Sequence, residues 1–197
     1  MDLTPEQLDA LQELVNVGVG QAAGMLNEMI EFRIRLQVPI LRLLTPDMLQ
    51  EELNQRLGID RLSAVQLDFK GSFSGMAQLV FPTESAATLV AVLTGEEVTS
   101  PDLDSLKIGT LTEVGNIVIN GVMGSIANML TQPLHYEVPT YAEEDVTHLM
   151  PRERADSTVI LAQARFNVEE LQVQGDIILF FNFGSFDMLV AAIDNVF

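Results

Sequence analysis

The chain matches itself at one offset. Shifted by 100 residues, Leu11 falls on Leu111, Glu13 on Glu113, Asn16 on Asn116, Gly24 on Gly124 and Met29 on Met129. The same shift puts Val38-Pro39 on Val138-Pro139, Gly75 on Gly175, Leu79 on Leu179, Phe81 on Phe181, and Leu89-Val90-Ala91 on Leu189-Val190-Ala191. An offset kept from the first predicted helix to the last implies a gene duplication, and a repeat constrains architecture more than any single motif. The expected organisation is one domain over 1–197, built from halves 1–97 and 98–197. The joint, "GEEVTSPDLD", carries Gly95, Pro101 and polar residues.

Periodicity supplies the elements of each half. Thr4-Pro5-Glu6-Gln7 reads as a helix start, with a capping threonine, proline at the first helical position and glutamine at the third. That helix runs to about Met29. "FRIRLQVPI" alternates as a strand does, and "TPDMLQEELNQRL" opens a short helix with a second Thr-Pro cap. "LSAVQLDFKG" and "SGMAQLVF" read as a hairpin, and "PTESAATLVAVLTG" as a helix ended by Gly95. The second half predicts a long helix over 104–131, strands over 134–140, 157–168 and 171–182, and a helix over 184–195. A middle helix near "AEEDVTHLM" is weakly signalled. The order α-β-α-β-β-α, twice, implies an α+β fold with a pseudo-twofold. One central sheet would carry the packed helices, two of them long.

Of the residues, 48% are apolar and 19% charged, as in a folded globular chain. No apolar run reaches the length of a membrane span. The start, "MDLTPEQLDA", lacks the basic and apolar regions of a signal peptide, so a cytoplasmic protein is the simplest expectation. A formal charge of −18 with ten thinly spread basic residues argues against nucleic acid, whose phosphates need Lys and Arg. No cysteine is present, which excludes disulfides and thiolate metal sites. His135 and His148 lie far apart and make no metal site. Neither a Gly-x-Ser-x-Gly elbow nor a phosphate-binding P-loop appears.

Chemistry is therefore sought on the two long helices. At about 100° per residue, Leu8, Leu11, Val15, Val19, Ala22, Leu26 and Met29 form one apolar stripe. Asp9, Glu13, Asn16 and Gly20 project roughly 140° from its centre. In the second helix Leu111, Val114, Val118, Val122, Ile126 and Met129 form the stripe, and Glu113, Asn116, Asn120 and Gly124 face away. A carboxylate and a carboxamide thus stand three residues apart on the same face in both copies. Asparagine is a poor residue inside a helix because it competes for backbone hydrogen bonds. Gly18, Gly20 and Gly24 each weaken the first helix by about 0.8–1 kcal/mol relative to alanine. Gly20 and Gly24 lie on or beside the Glu-Asn face, where they let another backbone or a bulky group come close. Gly18 projects near the apolar stripe, where close packing against another element explains it.

"DALQELVN" (residues 9–16), followed by 22 residues and Pro39, resembles the signature of the CheC/CheX/FliY phosphatase family: Asp or Ser, three residues, Glu, two residues, Asn, 22 residues, Pro. The second copy has Glu113, Asn116 and, after 22 residues, Pro139. Two sites in one chain look like the CheC type. The second copy departs at Gly109, where the signature has Asp or Ser, and at Asn120, where the first copy has Gly20.

The resemblance implies a chemotaxis hydrolase that removes the aspartyl phosphate of a CheY-like response regulator. By that analogy Asn16 and Asn116 orient the attacking water, and Glu13 and Glu113 pair with a receiver lysine. Asp9 assists at the rim, Gly20, Gly24 and Gly124 allow close approach, and Pro39 and Pro139 shape the neighbouring strand. No cofactor is expected on this chain, since the receiver carries the Mg²⁺. An acyl phosphate is reactive, so a helper needs no nucleophile and only has to hold water in line with phosphorus. The competing expectation is a non-catalytic module that docks or sequesters a receiver or a CheD-like partner. A duplicated chain can complete its own sheet, so a monomer is expected.

Overall fold

A computed structural model of the chain describes residues 3–29, 33–57, 61–97, 103–149, 157–168 and 171–197. The side chains of Met29, Pro39, Leu57 and Val168 lie outside that description, as does the middle of the predicted joint, 98–102. The first half comprises α1 (Pro5–Met29), β1 (Ile34–Leu44), α2 (Pro46–Leu57), β2 (Leu62–Gly71), β3 (Gly75–Pro82) and α3 (Thr83–Thr94). The second comprises α4 (Ser105–Met129), β4 (Leu134–Tyr136), β5 (Thr140–Glu144), α5 (Val146–Leu149), β6 (Thr158–Val168), β7 (Leu171–Phe181) and α6 (Ser185–Asp194).

The helix ends follow from local chemistry. Thr4 and Gln7 bond reciprocally: the Thr4 N–H donates to Gln7 Oε1 at 2.9 Å and the Gln7 N–H to Thr4 Oγ1 at 3.2 Å. At the start of α4 the Asp104 carboxylate accepts from the Lys107 N–H at 3.0 Å. Gly95 ends α3 in the left-handed region, φ 72°, which costs glycine nothing.

The strands form one antiparallel sheet in the order β1-β6-β7-β3-β2-β4, with β5 also paired to β2. At its centre β3 pairs with β7, and Gln78 stands opposite Ile178. On one flank β1 of the first half pairs with β6 of the second. On the other, β4 and β5 of the second half pair with β2 of the first. Neither half therefore forms its part of the sheet alone.

Alternation along the strands divides the core. Leu79, Phe81, Ile177, Leu179 and Phe181 face the larger cluster, which contains most of the buried apolar residues of α1, α3, α4 and α6. Val80, Ile178 and Phe180 face a smaller one under Leu49 and Leu53 of α2 and Val146 and Leu149 of α5. On that side Arg56 of α2 reaches the buried Asp176 of β7 at 2.8 Å. Burial pushes the Asp176 carboxyl up against the pull of that guanidinium.

Three boundaries differ from the sequence expectation. The first strand continues to Leu44, because Leu41–Leu44 pair on with β6. The strand expected over 134–140 is interrupted at 137–139 and resumes as β5. The middle helix expected near 142–150 shrinks to α5, because Ala142, Glu143 and Glu144 extend the sheet beside Ala64, Ser63 and Leu62. Helical and strand propensities are close for such a short segment, and pairing with β2 decides it.

The two long helices cross on glycine. A Cβ on Gly18 would lie 2.5 Å from the Val122 Cα, and one on Gly121 would lie 2.9 Å from the Ala22 Cβ. Gly18 is thus a packing residue, as its place near the apolar stripe implied. Gly115 seats α4 on the sheet in the same way, 2.5 Å from the Val65 side chain.

Candidate functional site

The first site lies along the outer face of α1. Leu11, Leu14, Val15, Val19, Ala22 and Leu26 are buried, while Asp9, Glu13, Asn16, Gly20 and Gly24 are all exposed. The expected stripe is right at its centre. Leu8 sits at its exposed edge, and Met29 lies outside the described side chains. A Cβ on Gly20 or Gly24 would meet nothing within 4 Å, so the surface beside the Glu-Asn pair is open. Folding does not require glycine at either position.

The neighbouring strand is tied to this helix. Gln12, the residue before Glu13, donates through Nε2 to the Val38 carbonyl at 3.2 Å. The β1–β6 register shifts between Gln37 and Ile40, a bulge that contains Val38 and Pro39. Proline inside a sheet belongs at an edge strand or a bulge, where no ladder N–H is needed. β1 is such an edge.

The second site repeats the spacing in a different setting. Glu113 is exposed on α4, but Asn116, Asn120 and Gly124 are half-buried. The face expected to be solvated is therefore partly covered. Asn120 Nδ2 donates to Asn116 Oδ1 at 2.6 Å, an i, i+4 pair one helical turn apart. Gly109 is exposed with nothing within 4 Å of its notional Cβ, and the same holds for Gly124. Pro139 occupies the interruption between β4 and β5, so both prolines mark a break in an edge strand. Met129, placed on the apolar stripe by its spacing, is 37% exposed at the end of α4.

Beside Glu113 lies a groove of about 390 Å³. Leu26, Leu93, Leu106, Val114 and Ile117 supply its apolar lining, and among the described residues Glu113 is the one charged residue along it. Leu106 is 68% exposed at the mouth. The corresponding stretch of α1 carries Glu6 and Asp9 in place of Leu106 and Gly109. Neither this groove nor the Asn120–Asn116 bond is among the sequence expectations. Two asparagines four residues apart on a helix were a legible signal for the bond. The groove depends on Leu26 and Leu93 arriving from elsewhere in the fold, which spacing alone does not reveal.

The histidines stand apart from both sites. His135 is exposed on β4 opposite Lys70, and exposed His148 meets the Asp145 carboxylate at 2.8 Å through Nδ1. That hydrogen bond holds the Asp145 carboxyl below its usual range. Among the described residues no group of three or more His, Asp or Glu is placed to hold a metal ion, and no helix is long and apolar enough to cross a membrane. Each site offers a carboxylate that can meet a cation and a carboxamide that can both donate and accept.

Four likenesses bear on this geometry. Residues 6–42 match the model of the CheC-like family. The chain is 27% identical over 142 residues to the CheY-P phosphatase CheC of Bacillus subtilis (strain 168), covering 68% of this chain and 65% of that protein. It is 19% identical over 170 residues to the flagellar motor switch phosphatase FliY of the same organism, covering 85% of this chain and 44% of FliY. The chain thus spans less than two thirds of the curated relatives it matches. In fold it is similar to the crystal structure of Thermotoga maritima FliY, with a TM-score of 0.80, 16% identity and full coverage of both chains.

Proposed function

We propose, for a chain whose likenesses support the CheC/CheX/FliY family, that it dephosphorylates the aspartyl phosphate of a CheY-like response regulator in chemotactic signalling. One observation carries this reading. On α1, Glu13 and Asn16 stand three residues apart on an exposed helix face, with open space in front of Gly20 and Gly24.

The receiver docks along this face. Glu13 meets a cationic side chain beside the phosphorylated aspartate, and Asp9 lines the rim. Asn16 holds a water in line with the phosphorus by accepting from it and donating to it. Positioning of this kind lowers the barrier without a nucleophile on the enzyme. The Mg²⁺ for this chemistry belongs to the receiver. Glu113 and Asn116 form a second site of the same kind, with Gly124 beside it. Pro39 and Pro139 shape the edge strands. The sheet exchange between halves, with Gln78 opposite Ile178, supports reading the chain as a duplicated single domain with a pseudo-twofold between β3 and β7. A sheet completed within one chain supports a monomer, and a receiver partner supports the cytoplasm as its place.

The half-buried Asn116 and the apolar groove beside Glu113 favour a second reading for α4: a surface that docks a receiver or a CheD-like protein without turnover. Decay of a phosphorylated cognate receiver separates the two. The wild-type chain is expected to accelerate decay, and Asn16→Ala combined with Asn116→Ala to abolish the acceleration while receiver binding survives. Acceleration undiminished in the double variant would rule out the amide mechanism. Binding of the wild type without acceleration would establish the docking module instead.

A further inference from the structure

We propose that Asn120 is a positioning residue for the second site, setting the direction in which Asn116 presents its carboxamide. This rests on the reading of Asn116 as the water-orienting amide. The two side chains lie one turn apart on α4, and Asn120 Nδ2 donates to Asn116 Oδ1 at 2.6 Å. That bond fixes the plane of the Asn116 amide. It turns the oxygen toward the C-terminal side of the helix and leaves the NH₂ edge and one oxygen lone pair for an incoming group.

The arrangement carries a cost that a purely structural residue would avoid. The Asn120 Oδ1 is buried and finds no partner among the described residues. An orphaned buried acceptor is unfavourable, and native structures contain few. Asparagine is also a weak helix former, and alanine at 120 would remove both penalties. The first half shows that the fold does not demand a side chain there, since Gly20 occupies the matching position with open space around it. What Asn120 adds is the hold on Asn116. Asn16 is exposed, and Gly20, four residues on, has no side chain to hold it. The second site therefore has a pre-set amide, and the first has one that orients only when the receiver arrives.

The test uses the full chain carrying Asn16→Ala, so that turnover comes from the second site alone. In this background Asn120→Asp is the decisive variant. A carboxylate of the same shape can accept only, so it keeps a bond to Asn116 by drawing the NH₂ edge toward itself and reversing the amide. The expected result is a loss of about tenfold or more in kcat with KM within twofold, the pattern of a misaligned group and not of lost docking. Asn120→Gly should lose about threefold to tenfold in kcat, since the amide becomes mobile without being reversed. The side-chain NH₂ resonances of Asn116 should shift in opposite senses in the two variants, a signature that a change in stability alone does not produce.

Kcat within twofold of the parent in both variants would overturn the positioning role. So would an Asn16→Ala chain with no turnover at all. Asn116→Ala in the same background identifies which idea has failed. If it leaves the rate unchanged, the amide mechanism is wrong at this site. If it abolishes the rate while the Asn120 variants do not, only the positioning role is wrong.

Discussion

The helices α1 and α4 carry the same Glu-x-x-Asn spacing in different surroundings. On α1 the pair is exposed, flanked by Asp9 on one side and by Gly20 and Gly24 on the other. On α4 the glutamate is exposed but the asparagine is half-buried and bonded to Asn120, and Gly109 and Leu106 border an apolar groove where α1 has Asp9 and Glu6. The difference separates two things that a motif merges. Spacing along a helix decides which side chains share a face. Packing around that face decides whether they reach a partner as solvated charges or as ordered groups beside apolar surface.

The sharpest way to break the comparison is to silence one site at a time. Asn16→Ala is expected to remove most of the acceleration of receiver dephosphorylation, on the scale of about 10²-fold at that site for a lost positioning group. Asn116→Ala should leave more than half of it, because the first site keeps both its carboxylates and its open approach. Initial rates with a phosphorylated receiver measure this directly. Equal losses in the two variants would mean that the surroundings of the pair do not matter.

A second variant asks whether the sites are independent. Gly18→Ala forces a methyl group against the Val122 backbone at the helix crossing, where neither backbone can give. Overpacking of this kind costs about 1–3 kcal/mol, seen as a lower urea midpoint with an unchanged slope. Both helices share that crossing, so activity from both sites should fall together. A loss confined to one site would show that the helices move separately.

The sequence disclosed most of the fold, for identifiable reasons. Elements with long, clean periodicity are the ones well placed: α1, α2, α3, α6, β2, β3, β6 and β7 lie within a residue or so of where that periodicity puts them. The errors gather at β4, β5 and α5. There the outcome is set by pairing with β2, which is distant in sequence, and local propensity is too weak to decide it. The candidate site divides in the same way. The faces of α1 and α4 follow from 3.6-residue geometry alone. The covering of Asn116 does not, because it depends on what packs around α4. Likewise Gly18 and Gly20 are indistinguishable as letters two residues apart, yet one touches a backbone and the other touches nothing.

The groove offers a milder test of the second site. Leu106→Asp places a carboxylate at its mouth without disturbing the core, since Leu106 is 68% exposed. If a receiver seats an apolar side chain there, KM should rise several-fold in a chain that also carries Asn16→Ala, with kcat nearly unchanged, the pattern of lost uniform binding. In a chain that carries Asn116→Ala the same change should do nothing. An equal effect in both backgrounds would point to a general effect of charge on docking.

The smallest expected effect bears on why α1 keeps glycines that its fold does not use. Gly20→Ala and Gly24→Ala each add a methyl group in open space and each remove a helix penalty of about 1 kcal/mol. The double variant should therefore be the more stable protein, by about 2 kcal/mol in urea unfolding. If the glycines serve to let a receiver backbone approach the Glu-Asn pair, the same variant should show a raised KM at the first site, with the second site unaffected. Gly109→Ala and Gly124→Ala are the comparison on α4, where Gly124 matches Gly24, Gly109 matches Asp9, and both have free space around them. They should stabilise the chain by a similar amount. A gain in stability with no change in KM at the first site would make Gly20 and Gly24 incidental, and would leave the exposed Asp9, Glu13 and Asn16 to carry that helix face.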